Sequence, residues 1–356
     1  MASHTILELK EKINSFPKKD LIPLPTPLRK LKNLSQDLEG PEIFIKRDDL
    51  TGLAFGGNKS RKLEFIIQDV LDKKADVVIT WASVQSNWCL QTSAAARKFG
   101  IEPIMLLFKT YELTEEYDGN LLLDYILDAD IRIKEIEDRK IMRVKDIQEI
   151  IEEVINEVKE KGHTPYVAPI GGSMVDGSME KPLGAISYVN AFAEMLEQMG
   201  EDSEVNYVIH ASGSGGTQAG LAAGAKASKD NAKVLGISVS DEKEPYRDEV
   251  FNIAQDTVKA LGLDFSMERE DIIVFDEYIK EGYGVVNREV SDAIRLLAVR
   301  EGIFLDPVYT GKAMTALIDL VKKGYFKKED KIVYFHTGGT AALFPNKYRL
   351  VDFLKP

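Results

Sequence analysis

From residue 77 onward, apolar and polar positions alternate between two registers. Short β-prone apolar runs at 77–80, 103–108, 131–136 and 164–169 read as buried strands. Between them, 88–99, 120–128 and 141–161 carry apolar residues at helical spacing, the last with Glu and Lys on its polar side. The alternation resumes with strands at 206–212, 233–240, 271–276 and 331–337, separated by helical stretches such as 286–302 and 312–323. Parallel strands joined by helical crossovers predict an α/β protein of two doubly wound parallel-sheet layers, with ligands at the carboxyl ends of the strands. The Gly-, Ser-, Met- and Pro-rich stretch 168–183 separates the two series and reads as an interdomain segment. The strand-like run 42–46 cannot join the first series by pattern alone.

Composition narrows the class. The chain has 356 residues, 44% apolar and 29% charged, which is ordinary for a globular protein of two or three compact units. A net charge of −12 disfavours nucleic acid as a partner. Cys89 is the one cysteine, so an internal disulfide is excluded and a reducing cytosol fits best. Residues 1–20 break their apolar positions with Glu and Lys, unlike a secretory signal, and no apolar stretch is long enough to span a bilayer, so a cytoplasmic protein is expected. The 4 histidines show no metal-site spacing, so no metal is expected, and there is no G-x-S-x-G elbow to suggest a hydrolase triad.

Three clusters carry candidate chemistry. Ser212-Gly213-Ser214-Gly215-Gly216-Thr217 follows a strand and opens a small-residue helix, an arrangement that cradles an anion with backbone N–H groups and the positive helix end. Gln218 breaks the dinucleotide fingerprint and no Gly-Lys-Ser/Thr follows, so a compact monophosphate is favoured over NAD or ATP. Gly56-Gly57-Asn58-Lys59 places a lysine where a Gly-Gly turn becomes a helix; nearby helix-end dipoles and cations are expected to lower its pKa, and a neutral amine can form a Schiff base. Ser83-Val84-Gln85-Ser86-Asn87 opens another helix with short polar side chains that can cap it or bind an anion.

Taken together, FIKRDDLTGLAFGGNKSRKLEF, SVQSNW, GSGGTQAG, FLDPVYTGKAM and HTGGTAALF closely resemble the fold-type II pyridoxal-phosphate enzymes of the family containing D-cysteine desulfhydrase and 1-aminocyclopropane-1-carboxylate (ACC) deaminase. The resemblance runs over nearly the whole chain. It implies a larger cofactor-binding domain of residues 1–60 plus 176–356, a smaller α/β domain of residues 61–175, and an active site in the cleft between them. By the same resemblance, Lys59 would carry pyridoxal 5'-phosphate as a Schiff base. Gly213, Ser214, Gly215, Gly216 and Thr217 would grip its phosphate, and Asn87 would bond its phenolic oxygen. Ser86, Asn87 and Trp88 would lie beside a small amino-acid substrate, and Tyr283 and Tyr309 would be the family's two active-site tyrosines. A homodimer is implied by resemblance only.

Within that family, ACC deaminases carry Glu after the second tyrosine and Leu in the later His-Leu-Gly-Gly segment, whereas desulfhydrase-type members carry Thr at both places. This chain has Thr310 and Thr337, both expected to contact the cofactor. A hydroxyl near the pyridine nitrogen leaves it largely neutral, which suffices to eliminate a good β leaving group. The resemblance therefore favours α,β-elimination of the D-cysteine desulfhydrase type, with Lys59 as general base, giving pyruvate, ammonia and sulfide. L-cysteate sulfo-lyase or a related β-eliminase, ACC deaminase, and a non-catalytic small-molecule binding protein stand as alternatives. Two departures touch the substrate side. Ala82-Ser83 and Trp88 replace residues usual in the family, and the segment 173–182 reads as an extra loop at the cleft mouth, a candidate lid.

Overall fold

The computed structural model describes residues 4–109, 117–135, 142–200, 204–228 and 232–355. Ten strands are defined among them: β1 (Leu28–Lys30), β2 (Glu42–Arg47), β3 (Val77–Ser83), β4 (Glu102–Lys109), β5 (Asp130–Glu135), β6 (Pro165–Val167), β7 (Tyr207–Ser212), β8 (Lys233–Ser238), β9 (Ile273–Phe275) and β10 (Lys331–His336). They form two sheets. The smaller has the order β5-β4-β3-β6 and the larger β1-β2-β10-β7-β8-β9. Every pairing is parallel except β1 with β2, so the expected parallel sheet gains one antiparallel edge strand. β3 is buried at every position, as a strand covered by helices on both faces requires, whereas β5 is a charged, largely exposed edge.

The helices fall close to their expected places, at Asn87–Lys98, Gly119–Ile126, Val144–Glu160, Arg288–Glu301 and Thr310–Lys322. Ile136 and Ile141, the outer ends of one expected strand and one expected helix, lie outside the described residues. β2 pairs with β10 over Glu42–Arg47, so the unassigned run 42–46 belongs to the larger sheet. Its pattern is obscured because Lys46 is fully buried. The Lys46 ammonium meets the Glu194 carboxylate at 2.5 Å, and Arg61 bridges Asp48 and Glu194, each at 2.8 Å. Pairing with these carboxylates is what lets the charged end of the strand-like run be buried.

The segment 173–182 is anchored to the smaller sheet. Ser178 bonds both polar groups of Val167 on β6, Asp176 bridges Met179, Met179 is buried, and the Lys73 amine reaches the Ser178 carbonyl. These bonds pin the extra residues along the edge of the smaller sheet. Among the described residues, no helix is long and apolar enough to cross a membrane.

The carboxyl ends of β3, β7 and β10 face one another across a cleft. Ser83, Ser212 and Thr337, at or just past those ends, all line it.

Candidate active site

Lys59 owes its position to two glycines and a buried salt-bridge network. Gly57 (φ 135°) and Gly338 (φ 94°) form an antiparallel bridge, and a Cβ on Gly338 would stand 2.6 Å from the Gly57 Cα. No side chain fits on Gly338 at that approach, and one on Gly57 would meet Gln91 Nε2 at 2.8 Å. The bridge, together with the Asn58 N–H donating to the Thr337 carbonyl at 3.0 Å, fixes the start of the helix Asn58–Asp72 against the end of β10. Two residues past Lys59, Arg61 is buried and bidentate on Asp48 (2.9 and 2.8 Å), and Asp48 also accepts from the Tyr188 hydroxyl at 2.6 Å. The helix can neither slide nor rotate without breaking charge-assisted bonds in a dry interior.

The Lys59 amine reaches the cleft, half-exposed at its wall although deeply set in the protein, and donates to Asn58 Oδ1 at 2.9 Å. Its pKa is lowered to about 8, first by burial, with the nearby Asp306 carboxylate opposing the shift. This corrects the sequence-based reason: desolvation, not surrounding positive charge, releases the proton. Lys62 is buried too, but its amine is turned to the Gly171 carbonyl at 3.0 Å, so it is a packing group.

Across the cleft, the loop after β7 enters the helix Gly216–Ala227 through Gly215 (φ 80°). Ser214 Oγ meets Ser173 Oγ at 2.9 Å, and a Cβ on Gly171 would overlap Ser214 Oγ at 2.1 Å, so the loop is packed to a fixed shape. Asn58 Nδ2 donates to Thr217 Oγ1 at 3.0 Å, tying the anion loop to the residue beside Lys59. Ser212 Oγ is braced by the Tyr246 hydroxyl at 2.8 Å.

On the smaller sheet's side, Ser86 caps the helix Asn87–Lys98 by accepting from the Trp88 and Cys89 N–H groups at 3.1 Å each. Trp88 is 2% exposed; its indole N–H donates to Thr80 Oγ1 at 2.7 Å, which fixes the ring in the cleft wall. Over the cleft, the Tyr283 and Tyr309 hydroxyls lie 2.5 Å apart, and Ser83 Oγ lies 3.3 Å from Tyr283. Burial raises the Tyr283 pKa, with the bonds to Ser83 and Tyr309 acting against it. Lys312 holds the tyrosine loop by donating to the Ile279 and Gly282 carbonyls at 2.9 and 2.8 Å.

Lys59, Ser86, Asn87, Trp88, Gly213, Ser214, Gly215, Thr217, Tyr283, Tyr309 and Thr337 all line the one cleft. Thr310 and Gly216 do not. The Thr310 hydroxyl donates to Asp306 Oδ1 at 2.7 Å and accepts from the Asp306 N–H at 2.9 Å, so its hydrogen is committed within the protein. Gly216 sits under the loop against Ser173. Sequence reasoning passed over Asn58, which bridges the lysine and the anion loop, and Asp306, a buried carboxylate that accepts from Val308, Tyr309 and Thr310 N–H groups at 2.8 Å each. Both stand inside segments singled out above, next to the more conspicuous Lys59 and Tyr309. His336 is buried and uses both ring nitrogens, Nε2 donating to the Phe304 carbonyl at 2.9 Å and Nδ1 accepting from the Gly338 N–H at 3.3 Å. That makes it a neutral structural ring.

Residues 20–338 match the family model described as "Pyridoxal-phosphate dependent enzyme". The chain belongs to this family. A relative from Pyrococcus furiosus, named "Putative 1-aminocyclopropane-1-carboxylate deaminase", is 39% identical over 344 residues, covering 96% of this chain and 98% of its own. A crystal structure of an "ACC deaminase homologue" superposes with a TM-score of 0.86 at 36% identity, covering 97% and 99% of the two chains. The processed threonine deaminase isoform 2 from Solanum lycopersicum shares the fold, with a TM-score of 0.65 at 16% identity over 98% and 88%.

The residues present fit pyridoxal phosphate. Lys59 offers an amine that loses its proton near neutral pH, and an aldehyde requires that form. The Gly213–Thr217 loop offers backbone donors at a positive helix end, suited to one phosphate. Asn87 offers an amide for the phenolic oxygen. Among the described lining residues there is no carboxylate and no histidine.

Proposed function

We propose that this pyridoxal-phosphate enzyme catalyses α,β-elimination from a small β-substituted amino acid, as a carbon–sulfur lyase of the D-cysteine desulfhydrase type. The observation that carries the reading is Thr310. By the family resemblance, this is the position after the second tyrosine where ACC deaminases carry Glu; here it is a hydroxyl bonded to Asp306 outside the cleft, and the described cleft lining holds no carboxylate. The cofactor, when bound, supplies the electron sink that makes the substrate's Cα proton acidic.

The remaining chemistry belongs to the chain. The Lys59 amine, with a pKa near 8, is the base suited to take the Cα proton at Nζ. The helix start at Ser86 and Asn87 provides donors for a substrate carboxylate. The Tyr283 and Tyr309 hydroxyls, joined to each other and to Ser83, provide a shared proton for the departing group at Cβ. Asp306 holds the second tyrosine's backbone in place through its own hydrogen bonds. A homodimer in the cytoplasm belongs to the same reading.

ACC deamination is the second reading, favoured by the names of the relatives at 39% and 36% identity. The test is incubation of the loaded enzyme with D-cysteine, L-cysteine, L-cysteate, D-serine and ACC. Pyruvate from one or more of the β-substituted amino acids is expected. Release of 2-oxobutyrate from ACC alone would replace elimination with the second reading.

A further inference from the structure

Asn87 lines the cleft, and an amide can present either a donor or an acceptor there. Its neighbour Asn120, 0% exposed on the helix Gly119–Ile126, decides which. One atom of the Asn120 amide lies 3.0 Å from the Gln85 backbone carbonyl and 2.9 Å from the Asn87 side chain. A backbone carbonyl only accepts, so that atom is Nδ2. Its second hydrogen then requires an acceptor on Asn87, which is Oδ1. Among the described residues, Asn120 Oδ1 has no partner, and no group accepts from Asn87 Nδ2. The Asn120 amide is therefore held through its donors alone, and the Asn87 N–H groups are left to the cleft.

The Asn120 backbone is locked as well. Its N–H donates to Gln85 Oε1 at 2.8 Å, and Gln85 Nε2 donates to the Asp118 carbonyl at 2.9 Å. Asp118 in turn pairs with Lys347 at 2.9 Å, and a Cβ on Gly119 would lie 2.4 Å from Pro345 Cγ, so the helix start is seated on the C-terminal segment of the chain. Gln85 and Asn120 thus interlock the two helix starts that meet at Asn87.

We propose that Asn120 is a positioning residue that sets the polarity of the Asn87 amide, presenting N–H donors to the phenolic oxygen of pyridoxal phosphate. This rests on the assignment of Asn87 to that oxygen. Replacing Asn120 by Asp at nearly the same volume reverses the preference. An ionised carboxylate accepts from Asn87 Nδ2 and turns Oδ1, an acceptor, toward an anionic oxygen. Replacing it by Ala only frees the amide to rotate.

The test is titration of the full-length apoprotein with pyridoxal phosphate, read by visible absorbance at about pH 9, where the introduced carboxyl is ionised, with thermal melting in parallel to verify folding. Asn87→Ala should weaken half-saturation by about tenfold, the scale of one hydrogen bond to a charged oxygen. Asn120→Asp should weaken it at least as much, Asn120→Ala less, and Asn87→Ala combined with Asn120→Asp no more than Asn87→Ala alone. A merely structural Asn120 predicts the opposite order, Ala worse than the isosteric Asp, with additive losses in the double variant. That order, or a wild-type value in Asn120→Asp, overturns the proposal. A wild-type chain that takes up no pyridoxal phosphate at all would instead overturn the cofactor site beneath it.

Discussion

The hydroxyl oxygens of Tyr283 and Tyr309 lie 2.5 Å apart although the two residues are 26 positions apart in the chain. Each hydroxyl has one hydrogen, so one tyrosine donates to the other and a single outward proton is shared between them, with Ser83 as a third member. If the pair acts as one proton source, Tyr283→Phe and Tyr309→Phe should each lower kcat by about 10²-fold, within the range for a general acid. The double variant should lose little more, because the members act as a unit. Kinetics of the three variants, with pyridoxal phosphate occupancy measured from the visible band, check this; independent, multiplying losses would count against a shared proton.

Lys59 should react with aldehydes with an unusual pH dependence. Its pKa is lowered to about 8, and the deprotonated amine is the nucleophile. Covalent capture of pyridoxal phosphate by the apoprotein should therefore speed up as pH rises through 8 and level off above it. An ordinary lysine would keep gaining reactive amine up to about pH 10.4. Stopped-flow absorbance across that range gives the midpoint.

Much of this was legible from the sequence because parallel sheets demand long apolar runs and helical crossovers. The strands from β3 to β10 were all anticipated by their apolar pattern, and so were the glycine-rich loop after β7 and the Gly-Gly start of the Lys59 helix. What escaped was whatever depends on partners far apart in the chain. The strand-like run that becomes β2 finds no place by pattern because Lys46 is charged yet buried, held by Glu194, 148 residues away, together with Gln198 and the Thr26 carbonyl. The tie of 173–182 to β6 could not be read because Ser178 finds its partner through backbone geometry. Thr310 was expected in the cleft wall, but Asp306, four residues earlier, captures its hydroxyl.

The buried network around Arg61 should dominate stability at the Lys59 helix. Arg61→Met leaves Asp48 and Glu194 without their guanidinium in a dry interior and should destabilise the chain by about 3–5 kcal/mol. Chemical denaturation of wild type and variant measures it. A loss under about 1 kcal/mol would place the network in the class of solvent-screened surface pairs.

The glycine bridge makes a separate demand. Gly338→Ala puts a methyl group 2.6 Å from the Gly57 Cα at a positive φ, a strain of about 1–3 kcal/mol that the structure can relieve only by moving the Lys59 helix start. Besides a lower melting temperature, this variant should show slower capture of pyridoxal phosphate, whereas Gly262→Ala, at a site with no neighbour within 4 Å, should lower the melting temperature without slowing capture.

The most direct test of the account is borohydride reduction of the chain loaded with pyridoxal phosphate, followed by peptide mass mapping. The account predicts one stable adduct, on Lys59, and loss of the visible band in Lys59→Ala. An adduct on Lys62 or Lys46 with Lys59 unmodified, or no adduct on a chain saturated with the cofactor, would contradict it.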